Sequence, residues 1–135
     1  MDQAQQQVLV IDDDQTTLML IKRYLSEIPV RVHTAEDARR GLQTLKDGED
    51  IGLVLVDYMM PQMTGVEVLH AVQEMTPPPY ILLISSLEED QIPSGLHADG
   101  FLKKPISKTN LQEVVKEGLG KYRDRCKANQ HRSLT

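Results

Sequence analysis

Five short apolar runs punctuate the chain, at Val8–Ile11, Val30–His33, Leu53–Val56, Tyr80–Ile84 and Gly100–Lys103. Each has strand length, and the stretches between them carry apolar residues at helical spacing. Regular alternation of strand and helix is the sequence mark of an α/β domain built on a parallel sheet. The first, third and fourth runs are apolar throughout, as central strands covered on both faces must be. The second and fifth are mixed and belong nearer the edges.

Four helices follow from the spacing. Thr17 to Ile28 places Leu18, Ile21 and Leu25 on one face and is closed by Pro29. Ala35 to Asp47 aligns Ala38, Leu42 and Leu45 and stops at Gly48. Thr64 to Met75 aligns Val68, Leu69 and Val72 ahead of Pro77-Pro78-Pro79. Ser107 to Tyr122 opens on an N-cap serine and aligns Leu111, Val114, Val115 and Leu119. A fifth helical stretch between Ser85 and Gly100 is expected to be short or partly unwound, because Pro93 and Gly95 oppose a helix interior.

Composition narrows the class. A chain of 135 residues, 40% apolar and 26% charged, is one compact globular domain. Met1-Asp2-Gln3-Ala4-Gln5 lacks the basic and apolar stretches of a secretory signal, and no run approaches the roughly 20 apolar residues of a membrane span. The single cysteine, Cys126, rules out an internal disulfide and suits a cytoplasmic setting. The formal net charge of -5 is unevenly spread. Residues 121–135 hold five bases and one acid, net +4; the others hold ten bases and nineteen acids, net -9. So acidic a body is a poor nucleic-acid binder, and residues 123–135 are read as a basic tail or a cut linker after a domain spanning 1–122.

Ligands in a parallel α/β sheet bind beyond the C-terminal ends of the strands. Asp12 and Asp13 follow the first run, Asp57 the third, Ser85 ends the fourth and Lys104 the fifth, so five polar groups converge on one rim. Clustered carboxylates repel one another unless a cation joins them. An oxygen-only set favours Mg²⁺, which takes one or two carboxylates, waters and a phosphate oxygen. A carboxylate nucleophile beside it accepts a phosphoryl group as an acyl phosphate, and Lys104 and Ser85 supply charge and a hydrogen bond. Asp14 is read as the cap of the first helix. The histidines, His33, His70, His97 and His131, have no metal-binding spacing and are assigned surface roles.

The segments VLVIDDD (8–14), LVDYMMPQMTG (55–65), YILLISS (80–86) and GFLKKP (100–105) resemble the CheY-like receiver domains of two-component response regulators. Asp57, Met60, Pro61 and Gly65 meet the family's Asp-x-x-Met-Pro and following Gly, and the likeness covers about 8–120. It implies a flavodoxin-like, doubly wound sheet of five parallel strands in the order 2-1-3-4-5 with five helices. It implies Asp57 as phosphoacceptor, Mg²⁺ on Asp12, Asp13, Asp57 and the Met59 backbone carbonyl, and a cis bond from Lys104 to Pro105. Lys104 and Ser85 would contact the phosphoryl group, with Phe101 as the switch aromatic. The implied partners are a sensor histidine kinase or histidine phosphotransfer protein upstream, and an effector protein or domain downstream. Membrane and direct nucleic-acid contacts are not expected of this segment. Such a protein is a switch that assists its own phosphorylation and dephosphorylation, not an enzyme turning over a separate substrate.

Three features depart from the pattern. Phe101 stands where many members have Tyr, the 85–100 stretch is short, and apolar Met59 and Leu87 flank the acceptor, where they would shield an acyl phosphate from water. Within the family the chain reads as a stand-alone receiver or as the excised module of a longer regulator; Val115, Leu119, Tyr122 and Cys126 continue one helical face, which favours an extended last helix leading to an effector. A rival from another class also exists: Asp12-x-Asp14-x-Thr16 opens haloacid-dehalogenase-like phosphatases. Those enzymes need a further strand ending in acidic residues, and the sequence after Lys104 supplies only Pro105, a helix and the basic tail.

Overall fold

A computed structural model describes residues 5–48, 50–60, 65–92 and 98–134. Strand β1 (Gln6–Ile11), helix α1 (Gln15–Leu25), β2 (Val30–Ala35), α2 (Ala38–Lys46), β3 (Ile51–Asp57), α3 (Gly65–Gln73), β4 (Tyr80–Ser85), β5 (Gly100–Lys103) and α4 (Lys108–Leu134) alternate along the chain. All strand pairs are parallel, and the order is β2-β1-β3-β4-β5, the doubly wound arrangement expected. The two mixed runs, β2 and β5, are the edges. Every residue of β3 and β4 is buried, which is why those strands read as unbroken apolar sequence.

Strand alternation divides the core in two. Val8, Val10, Leu53, Leu55, Leu82, Ile84 and Leu102 face Leu18, Ile21 and Leu25 of α1 and Leu111, Val115 and Leu119 of α4. Leu9, Ile11, Val54, Val56, Ile81 and Leu83 face Ala38 and Leu45 of α2 and Val68, Leu69 and Val72 of α3. Two helices approach the sheet closely enough to require glycine. A Cβ on Gly118 would lie 2.5 Å from a Tyr80 ring carbon and 2.7 Å from a Leu53 methyl, and one on Gly41 would strike the Ile11 side chain.

Element ends depart from the hydropathy pattern where polar residues do structural work. Strand β2 itself runs on to Ala35, and α2 starts only at Ala38 because Asp37 caps it, accepting from the Arg40 N–H at 2.8 Å. Helix α1 starts two residues early, capped by Asp14, and ends at Leu25, leaving Ile28 to pack into the core from the following turn. Ser107 does precede α4, its Oγ accepting from the Asn110 N–H at 3.3 Å. Helix α4 does not stop at Tyr122 but runs 27 residues to Leu134. Arg125 accounts for its hold on the body beyond Tyr122: it donates to the carbonyls of Pro78 and Pro79, pairs with Asp99 at 2.6 Å and lies over the Tyr80 ring.

The stretch after β4 contains a single 3₁₀ turn, Glu89–Gln91, among the described residues. Pro93 and Gly95 lie outside them, as do Pro61 and Thr64. No helix of the described residues is long and apolar enough to cross a membrane.

Candidate functional site

The parallel ladders carry three charged residues to one rim. Past the end of β1, the Asp12 N–H still donates to the Ala35 carbonyl; past β5, the Lys104 N–H donates to the Ser85 carbonyl. Asp12 shares the alternation of Val8 and Val10, Asp57 that of Leu53 and Leu55, and Lys104 that of Leu102. All three therefore have the parity of the α1/α4 face. Ser85 has the other parity, that of Ile81 and Leu83, which is also where Phe101 packs.

Asp12 is fully buried, Asp57 is 5% exposed and Asp13 is exposed. One carboxylate oxygen from each falls within 4.8 Å of the others. Lys104 Nζ stands between two of them, 3.0 Å from Asp12 Oδ2 and 3.5 Å from Asp57 Oδ2. Asp12 Oδ2 is buried and receives no well-directed hydrogen bond, so the Lys104 contact is an ion pair. Asp12 Oδ1 accepts from the Asp14 N–H at 2.9 Å, and Asp57 Oδ1 from the Met59 N–H at 3.2 Å.

Burial, and then the Asp12 charge, push the Asp57 carboxyl up to about 6 against the opposing pull of Lys104. Burial also works against the Lys104 charge, but the Asp12 and Asp57 carboxylates outweigh it and hold its pKa above the ordinary lysine value. Beside the cluster, the Thr17 hydroxyl holds the exposed Asp14 carboxyl below the usual range. One ammonium thus faces two buried acids and a third at the surface, a net negative pocket of hard oxygen donors. A buried carboxylate oxygen held only by the Lys104 ion pair, within such a set, fits a small divalent cation.

The remaining rim residues are also in place. Ser85 is buried and its Oγ accepts from the Leu87 N–H at 3.0 Å, so the hydroxyl engages its own loop. Phe101 is half-buried, opposite Leu83 in the β4–β5 register. Met59 is 58% exposed, Leu87 half-buried. The bond between Lys104 and Pro105 is cis, as expected, and so is that between Thr76 and Pro77. Sequence patterning missed Thr17 and the Arg125–Asp99 pair: polar groups in contact across the fold leave no hydropathy period behind.

Residues 8–116 match the family described as the response regulator receiver domain. The chain is 32% identical over 119 residues to the putative two-component response regulator ARR21 of Arabidopsis thaliana, covering 87% of this chain and 19% of that protein. It is 30% identical over 112 residues to the two-component response regulator ORR3 of Oryza sativa subsp. indica, covering 79% of this chain and 86% of that one. It thus spans most of ORR3 but only 12% to 24% of the length of four other relatives. Among solved structures, the Vibrio cholerae chemotaxis protein CheY4 superposes with a TM-score of 0.76 at 25% identity, covering 85% of this chain and 99% of that one. The strand order, the acidic rim and a match over most of the sequence agree, and the chain belongs to the receiver domains of two-component response regulators.

Proposed function

We propose that Asp57 accepts a phosphoryl group from a histidine of a sensor kinase or phosphotransfer protein, and that the resulting change around Ser85 and Phe101 controls an effector. The observation that carries this reading is the Asp57 carboxylate, buried at the end of β3 within 4.8 Å of two further carboxylate oxygens and 3.5 Å from the Lys104 ammonium. An Asp57 oxygen attacks phosphorus as the phosphorus–nitrogen bond to the imidazole breaks, forming an acyl phosphate. Water later attacks that phosphorus, releasing inorganic phosphate and restoring the carboxylate.

Asp12, Asp13, Asp57 and the Met59 carbonyl would hold Mg²⁺, which supplies charge stabilisation to the transferring phosphoryl oxygens. Lys104 donates to one of those oxygens, and Ser85 to another once its hydroxyl leaves the Leu87 N–H. Phe101 packs on the same side of the sheet as Ser85 and follows it, which biases two packings of the domain. Residues 1–122 act as the switch, in the cytoplasm, and 123–135 as a basic tail or a linker to the effector. Relatives include the hydrogenase transcriptional regulatory protein HoxA, the sensor kinase CckA and a cyclic di-GMP phosphodiesterase, so segments like this one occur in signalling proteins of several kinds.

The test is incubation with Mg²⁺ and acetyl phosphate. Mass spectrometry should find one added phosphoryl group, absent in Asp57→Asn and in the presence of EDTA. Turnover of phosphate esters that needs Asp12 but not Asp57 would overturn the reading in favour of the phosphatase.

A further inference from the structure

Asp14 lies outside the acidic cluster, yet one hydrogen bond joins it to Asp12 and two more fix it to the first turn of α1. Its extended backbone makes it the N-cap of α1, with one carboxylate oxygen accepting from the Thr16 N–H at 3.1 Å. Its other oxygen accepts from the hydroxyl of the buried Thr17 at 2.7 Å. Its own N–H donates to Asp12 Oδ1 at 2.9 Å. That last bond engages one Asp12 oxygen and leaves the other, Oδ2, buried and aimed at Lys104. The cap thus holds the peptide whose N–H sets the rotation of the Asp12 carboxylate.

We infer that Asp14, clamped by Thr17, is a positioning residue for divalent-cation binding, acting by orienting Asp12 and not by adding its own charge. The inference rests on Asp12 being a cation ligand, as proposed above. Residues that orient a ligand govern affinity almost as strongly as the ligands themselves, commonly by ten-fold or more. The Asp14 side chain is already committed to Thr16 and Thr17, on the helix side of the turn.

Orientation and charge make opposite forecasts for two variants. Asp14→Asn keeps an oxygen for the Thr16 N–H and an amide N–H that can donate to the Thr17 hydroxyl, and loses the charge; Asp14→Ala loses the bonds and the charge. Affinity is measured by titrating the full chain with Mn²⁺, followed by electron paramagnetic resonance, with Mg²⁺ as competitor. Asp14→Ala should weaken Mn²⁺ binding by about ten-fold or more. Asp14→Asn should stay within about threefold of the wild type, the size of a screened surface-charge effect. Thr17→Val, which fills the same space without the hydroxyl, should fall between them. Thermal melts in EDTA establish that each variant is folded, and Thr17→Val carries the test should Asp14→Ala not be. Wild-type affinity in Asp14→Ala, or equal losses in Asp14→Asn and Asp14→Ala, would overturn the inference while leaving the acidic site standing. If the wild type itself takes up no Mn²⁺, the cation reading of Asp12, Asp13 and Asp57 falls, and this inference with it.

Discussion

Replacing Asp57 by Asn should make the cation-free domain more stable. The amide has nearly the shape of the carboxylate and keeps an oxygen for the Met59 N–H, so packing is little changed. What disappears is a charge that burial and Asp12 both disfavour, as the rise of its pKa from 3.8 to about 6 records. At about 1.4 kcal/mol for each tenfold change in proton affinity, that rise sets a ceiling of roughly 3 kcal/mol for the ionised form near neutral pH. That rise already includes the opposing pull of Lys104, and water reaching the rim reduces the ceiling to about 1–2 kcal/mol, or roughly 3–8 °C in Tm. The pH dependence carries its own sign. Because the folded-state pKa lies above the unfolded one, the folded protein holds the proton more tightly between pH 3.8 and about 6. The Asp57 contribution is therefore favourable below that window and is lost as pH rises through 6. Urea titrations in EDTA at pH 7.5 and pH 4.5 measure both effects. The Asn variant should lead at pH 7.5, and its lead should shrink at the lower pH; adding Mg²⁺ should stabilise the wild type more than the variant. A variant less stable than the wild type at pH 7.5, or a pH-independent lead, would refute the electrostatic account.

Three further outcomes are expected. Arg125→Ala removes the ion pair to Asp99 and the bonds to the Pro78 and Pro79 carbonyls, and should cost about 1.5–3 kcal/mol in urea unfolding. Gly118→Ala gains up to about 1 kcal/mol in helix propensity, but its Cβ meets Tyr80 and Leu53, so overpacking of about 1–3 kcal/mol should win and lower the Tm. Met59→Asn and Leu87→Glu, which replace apolar cover near the acceptor with polar side chains, should each shorten the half-life of phosphorylated Asp57, followed by phosphate release; an unchanged half-life would sink the shielding idea.

Much of this was legible because buried parallel strands must be apolar. The runs around Leu53 and Ile81 announced β3 and β4, and the mixed composition of the runs at Val30 and Gly100 announced the edges. The rim was legible too, since the residue following each strand must sit at the same end of the sheet. Less visible were the places where polar side chains bond backbone. Gln6 and Gln7 extend β1 because ladder bonds to β2 do not depend on side-chain polarity. Asp37 delays α2 because its cap acceptor outweighs even the high helix propensity of Ala35 and Glu36. The extension of α4 was legible only as far as the face shared by Val115, Leu119, Tyr122 and Cys126, because residues past Cys126 add polar groups, not a longer apolar stripe.

Strand β5 has four residues and a single neighbour, and a slip of one place would exchange everything it presents. Lys103 would then turn toward Asp12 and Asp57, Lys104 would turn away, and Phe101 would enter the layer beneath α1 and α4. What resists the slip stands at the opposite end of the strand. Asp99 takes the Ile81 N–H on one oxygen at 2.8 Å and Arg125 on the other at 2.6 Å, and its own N–H donates to the Ile81 carbonyl. The arginine of the long helix thus serves as an indexing pin: it fixes the position in the ladder from which Lys104, and not Lys103, reaches the acidic rim.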